Sequence, residues 1–173
     1  MTNAQDVIDE VHAAFQGVPL PSKDALWNNH CCECSEISAA FGARPWQEIS
    51  LDDLLSGRET ALLSEAAWRY YLPSMIIWSI RATEAVDVIQ DNLVYQLSPP
   101  ATQEEWAWKW FKPRARGFNR EQRQAVVAFL NWYHERQVEN WAGLGAAPPD
   151  HVVRALAFWR SELAHEFPRG TKG

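Results

Sequence analysis

Apolar residues recur along this chain at helical intervals, broken by proline, glycine and capping residues. Val7, Ile8, Val11 and Phe15 follow Thr2 and Asn3, either of which can cap, and Gly17, Pro19 and Pro21 end the run, predicting a helix over 3–16. A connection over 19–29 offers Ser22 and Asp24 as caps for a short turn. Ile37, Ala40 and Phe41 predict a helix over 32–41, stopped by Gly42 and Pro45. Ser50 then caps a short helix bearing Leu51, Leu54 and Leu55, with Asp52 and Asp53 in its first turn.

The longest apolar segment runs from Thr60 to Ile80, apolar nearly all round, which places it at the centre of a bundle. Pro73 predicts a kink there, or two helices meeting at Leu72–Pro73. Thr83 opens a helix through Val86, Ile89, Leu93, Val94 and Leu97, closed by Pro99 and Pro100. The Trp106-x-Trp108-x-Trp110 alternation suits a half-buried strand, but Thr102 as a cap, Glu104, Glu105 and the surrounding pattern favour a short helix. On a helix Trp106 and Trp110 share a face and Trp108 points away, so at least one indole should be exposed. Residues 112–117 read as a basic loop. Asn119 caps a long helix ending near Trp141 and Gly143, and Asp150 caps a last one with Val152, Leu156, Trp159 and Leu163 on its inner side; 169–173 reads as a tail. With no strand pair, repeat or interdomain linker, the expectation is an all-α, single-domain bundle of six or seven helices over 1–173 with a kinked central helix.

Composition narrows the partners. A net charge of −6 disfavours nucleic acid and anionic membranes, which need a basic field. No apolar run reaches the ~20 residues of a membrane span. The first ten residues hold Asp6, Asp9 and Glu10 rather than a signal peptide, so the expected location is the cytoplasm, with the three cysteines as reduced thiols.

Those cysteines sit together in His30-Cys31-Cys32-Glu33-Cys34. If a helix reaches back to His30, then His30 with Cys34, or Cys31 with Cys34, project from one face and can share a metal. A structural zinc site takes four ligands, so His12, His134, His151 or His165 would have to complete it, and no second half-site is present. Two other readings stand beside zinc: small buried hydrophobes, or a reactive thiol at a helix start beside His30, which the Glu33 carboxylate opposes. Without zinc, no cofactor is called for. No phosphate loop, Gly-x-Ser-x-Gly or His-Glu-x-x-His motif is present, so no catalytic residue is assigned and the chain is not read as an enzyme.

The basic stretch Lys109, Lys112, Arg114, Arg116, Arg120 and Arg123, interleaved with Trp110, Phe111 and Phe118, has the composition of a single-strand binder. Against the acidic background it reads instead as a solvated segment paired with glutamates. Ten tryptophans exceed what a core of this size asks for, and indole anchors interfaces. Trp106, Trp108, Trp110, Arg114 and Arg116 are therefore the candidate partner-binding residues.

Three pieces together, the 30–34 cluster, the stretch Leu63 to Pro73 with its Tyr-Leu-Pro, and Gln122 to Leu130, resemble an uncharacterised family of small bacterial proteins. The resemblance implies no activity. Proteins of this size and type often resemble immunity or accessory partners of toxins. The expectation is a non-enzymatic interaction protein whose partner is another protein, a toxin among the candidates. The alternative is a zinc- or thiol-dependent protein built on His30–Cys34.

Overall fold

The computed structural model of the chain describes residues 2–27, 34–57, 59–83, 87–147 and 149–164. Among these, eight α-helices form and no strand: α1 (Ala4–Phe15), α2 (Cys34–Phe41), α3 (Leu51–Ser56), α4 (Glu65–Arg81), α5 (Asp87–Leu97), α6 (Glu105–Arg116), α7 (Arg120–Gly143) and α8 (Asp150–Ala164). The all-α expectation holds. None of the described helices is long and apolar enough to cross a membrane.

Caps explain most boundaries. Asn3 accepts from the Gln5 amide, Ser50 and Asp53 form a reciprocal capping box, and Asn119 with Gln122 forms another at the start of α7. α2 ends where Gly42 and Ala43 both take positive φ, of 53° and 55°. Arg44 then reaches back to the Ala40 carbonyl and pairs with Asp53 of α3 at 2.9 Å.

Four features differ from the sequence expectation. Residues 60–62 form a separate 3-10 turn, and α4 begins only at Glu65, because Leu63 bridges to Trp27 and Ser64 caps the helix by accepting from the Ala67 amide. Pro73 lies inside α4 without dividing it, so no pair of helices meets at Leu72–Pro73. Pro73 leaves the Arg69 carbonyl without its intrahelical donor, a cost of about 3 kcal/mol, which burial of the helix on all sides outweighs. Residues 112–116 are not a loop: α6 continues through them with Pro113 inside, because Phe111, Arg114 and Ala115 turn inward. Its N-cap is Glu104, without a side-chain bond, and Thr102 serves differently, its carbonyl accepting from the Trp108 indole at 3.0 Å. Asp150, expected as a cap, is the first residue of α8.

α4 is the hub. It packs on α1, α5 and α6, while α7 lies against α1 and α8. Trp68, Tyr70, Tyr71, Leu72, Met75 and Ile76 are all buried. A helix buried all round its middle, as α4 is over 70–77, must also find partners for its polar tips. Ser64 donates to the Ala25 carbonyl at 2.6 Å, Ser74 to Trp46 at 2.6 Å, and the Trp78 indole to Ile49 at 2.8 Å. The Tyr71 hydroxyl lies 3.1 Å from the Arg44 carbonyl, and burial pushes its pKa up to about 12. Each acceptor belongs to an irregular segment, so α4 fixes the loops as well as the core.

Replacing Ser74 by Ala strands the Trp46 carbonyl in the core. The expected loss is about 1–3 kcal/mol in chemical denaturation with an unchanged m-value. A loss below about 0.5 kcal/mol, the level of an indifferent surface change, would mean that these bonds do not fix the loops.

Candidate functional site

α5 presents a polar face in an otherwise apolar helix. Ile89, Gln90, Leu93, Val94, Gln96 and Leu97 are buried, which leaves Asp91, Asn92 and Tyr95, three and four residues apart, side by side towards solvent. The Tyr95 ring is 68% exposed. The end of α5 is firmly held: the Trp159 indole donates to the Leu97 carbonyl at 2.8 Å, and the Ser98 hydroxyl lies 2.7 Å from the Val94 carbonyl and 3.0 Å from that of His151. Tyr95 is thus an exposed ring on a rigid mount.

Two grooves flank it. The first, of about 420 Å³, runs between α5 and α6 and is lined by Tyr95, Gln96, Pro99, Pro100, Trp106 and Trp110 among others. Trp106 lines the same groove from α6 and is 71% exposed, the one exposed tryptophan among ten. Trp110, one turn along, is half-buried under the Arg114 guanidinium, 4.2 Å from its ring centre. Gln96 is 4% exposed and donates its amide nitrogen to the Thr60 hydroxyl at 3.0 Å, while its carbonyl oxygen has no partner. Turning the amide over exchanges the two ends and still leaves one buried polar atom unmatched.

The second groove, also about 420 Å³, lies on the other side of Tyr95 and takes in Asp91, Tyr133, Gln137, Trp141 and His151. Tyr133 donates to the Asp91 carboxylate at 2.7 Å, and the Trp141 indole to Gln137 at 3.0 Å. Burial, then the Asp91 carboxylate, raises the Tyr133 pKa far above the ordinary phenol range, so it stays a donor. The His151 ring has a buried Nε2 without a partner. Burial chiefly, with Arg154 adding to it, lowers its pKa against the opposing pull of Asp91 and Asp150.

The residues predicted from sequence scatter over α6. Trp106 is on the groove wall, and Trp110 is partly so. Trp108 lies on another face, half-buried, edge-on to Phe111 at 5.9 Å and under the Lys112 ammonium at 5.2 Å. Arg114 is 4% exposed, its Nη2 donating to the Ala61 and Leu63 carbonyls at 3.1 and 2.7 Å, so its charge tacks α6 to the start of α4. Arg116 is exposed. The aromatics interleaved with the basic residues turn inward, Phe111 at 1% and Phe118 at 3% exposure. Of the zinc assignment, His30 and Cys31 lie outside the described residues, and Cys34 is the first residue of α2. Among the described residues no group of three or more metal-ligating side chains forms.

Tyr95, Asp91 and Tyr133 had no place in the sequence assignment. Tyr95 had a signal, being out of phase with Ile89, Leu93, Val94 and Leu97; the Asp91–Tyr133 contact, 42 residues apart in sequence, had none.

A model of a family of unknown function (DUF6714) matches residues 3–161. No curated protein and no solved structure matches the chain.

The depressed His151 pKa makes stability depend on pH. The unfolded chain protonates this ring near 6.5 and the folded chain only below that. The stability of the neutral ring is therefore fully present above pH 6.5 and is lost as pH falls through the folded pKa. In thermal melts His151→Gln should lose less stability than the parent on acidification below pH 6.5; parallel curves would show that the ring titrates alike in both states.

Proposed function

The chain belongs to this family of unknown function, a membership that brings no activity with it, and from that premise we propose that it is a non-enzymatic protein-interaction module. Its contact is the groove between α5 and α6, and the observation that carries the reading is the pair Tyr95 and Trp106, 68% and 71% exposed. Large rings left in water on rigid helices forgo about 1.5–3 kcal/mol of burial each, an arrangement suited to a surface that is covered part of the time. Tyrosine and tryptophan are also the residues that most often anchor interfaces.

Pro99, Pro100 and Trp110 beside the exposed pair support a partner that brings apolar side chains. Glu104 and Glu105, exposed beside Trp106, and the net charge of −6 favour basic flanks on that partner. Of the sequence candidates, Trp106 and Trp110 stay in this contact, and Arg114 serves it indirectly by holding Trp110 in place. The narrower proposal is an immunity role, with a toxin as the partner; its support is the acidic charge alone. The encounter is set in the cytoplasm, where thiols stay reduced.

The test is quantitative affinity capture from the source cells with the parent, Trp106→Ala and, as a control on another face, Glu139→Gln. A true partner is enriched by the parent and the control, and is lost about 30-fold or more with Trp106→Ala, the effect of removing an interface anchor. Trp106 is exposed, so circular dichroism of the variant should match the parent. A capture profile that Trp106→Ala leaves unchanged would end the proposal.

A further inference from the structure

The second groove differs from the first in chemistry. Asp91 is exposed and takes part in no ion pair among the described residues. Three aromatic rings accompany it, from Tyr95, Tyr133 and Trp141, and the neutral amides of Asn92 and Gln137 fill the gaps. Among the described residues no lysine or arginine lines this groove. The histidine at its edge does not supply a charge at neutral pH, since burial holds His151 in its uncharged form there.

A fixed carboxylate among aromatic faces selects positive charge. Ring faces attract a cation within about 6 Å of their centres, most strongly one that is weakly hydrated. An inorganic ion would ask for several oxygen ligands, and Asp91 is the only carboxylate in the groove among the described residues. One Asp91 oxygen already accepts from Tyr133 at 2.7 Å, which orients the carboxylate. The Trp141 indole is likewise oriented by Gln137 at 3.0 Å. The groove volume of about 420 Å³ suits a head group of a few heavy atoms.

We propose that the groove around Asp91, Tyr95, Tyr133 and Trp141 binds an organic cation of the alkylammonium class. The ammonium sits against Asp91 and its alkyl groups lie on the Tyr95 and Trp141 rings, above the buried Tyr133 that orients the carboxylate. Free quaternary amines and the basic side chain of a bound protein share this chemistry. The site is distinct from the α5–α6 groove, although Asn92 and Tyr95 border both, and it stands whether or not that groove binds a protein.

Isothermal titration calorimetry of the whole chain tests it with three probes: choline, N-acetyl-lysine methylamide, and 3,3-dimethylbutanol, the uncharged isostere of choline. Saturable heat is expected from a cation and none from the isostere. Asp91→Asn, which keeps an acceptor for Tyr133, should weaken binding about five-fold, the upper range for a solvent-facing charge pair. Trp141→Leu should weaken it with the charge intact, and Trp106→Ala should leave it unchanged, which separates this site from the proposed protein contact. Saturation by choline alone supports a free quaternary amine; saturation by the lysine derivative as well supports a side chain. Absence of saturation with both cations, equal binding of the isostere, or an unaltered constant in Asp91→Asn overturns the assignment.

Discussion

A stretch of helix with no solvent face has nowhere to send its polar atoms except into its neighbours, and α4 is such a helix from Tyr70 to Ile77. Ser64, Tyr71, Ser74 and Trp78 bond carbonyls at Ala25, Arg44, Trp46 and Ile49. At its far end the Gln90 amide of α5 donates to the Ser79 carbonyl at 3.0 Å. Buried donors and acceptors are costly to leave unmatched. The paths of the segments around Ala25 and from Arg44 to Ile49 are therefore dictated as much by these bonds as by apolar burial. The chain spends its irregular segments on satisfying the core.

That arrangement bears on where binding surfaces arise. The side of α4 that meets the early segments is closed by α1 together with short loops and 3-10 turns. The side that meets α5 and α6 is closed by helices, whose outer faces are free to carry side chains unrelated to packing. Arg114 joins the two sides: its guanidinium binds carbonyls at the start of α4 while its face covers Trp110. Its Nε nonetheless lacks a partner, and burial lowers its pKa despite the pull of Glu65. Arginine tolerates this because its charge is diffuse and weakly hydrated; lysine in its place would bring a compact ammonium to the same dry position.

Much of the fold was legible because apolar periodicity and capping chemistry are local. Asn3, Ser50 and Asn119 each cap as their sequence context demands. The errors came where tertiary contacts override local rules. Pro73 read as a kink or a junction of two helices and 112–117 as a basic loop, yet packing of Tyr71, Leu72 and Met75 on one helix, and of Phe111 and Ala115 on the other, carries each helix through. Leu63 fits a helical repeat but pairs with Trp27, 36 positions earlier, because Ser64 caps after it. For the site, sequence identified the indole-rich segment but not which indole faces water. That depends on Arg114 turning inward, a contact with Ala61 and Leu63 that no spacing rule encodes. Asp91 and Tyr133 meet only through the fold, so composition alone had no means of joining them.

The uneven burial of the tryptophans has an optical consequence. Trp46, Trp68, Trp132 and Trp159 are 1–4% exposed, five more are half-covered, and Trp106 alone stands out at 71%. A collisional quencher such as iodide reaches Trp106 first, so the most quenchable, red-shifted part of the emission belongs mainly to one ring. Difference spectra taken with and without quencher then follow the mouth of the α5–α6 groove in the unlabelled protein. The molecule carries its own dye at the position where an added one would otherwise have to be placed.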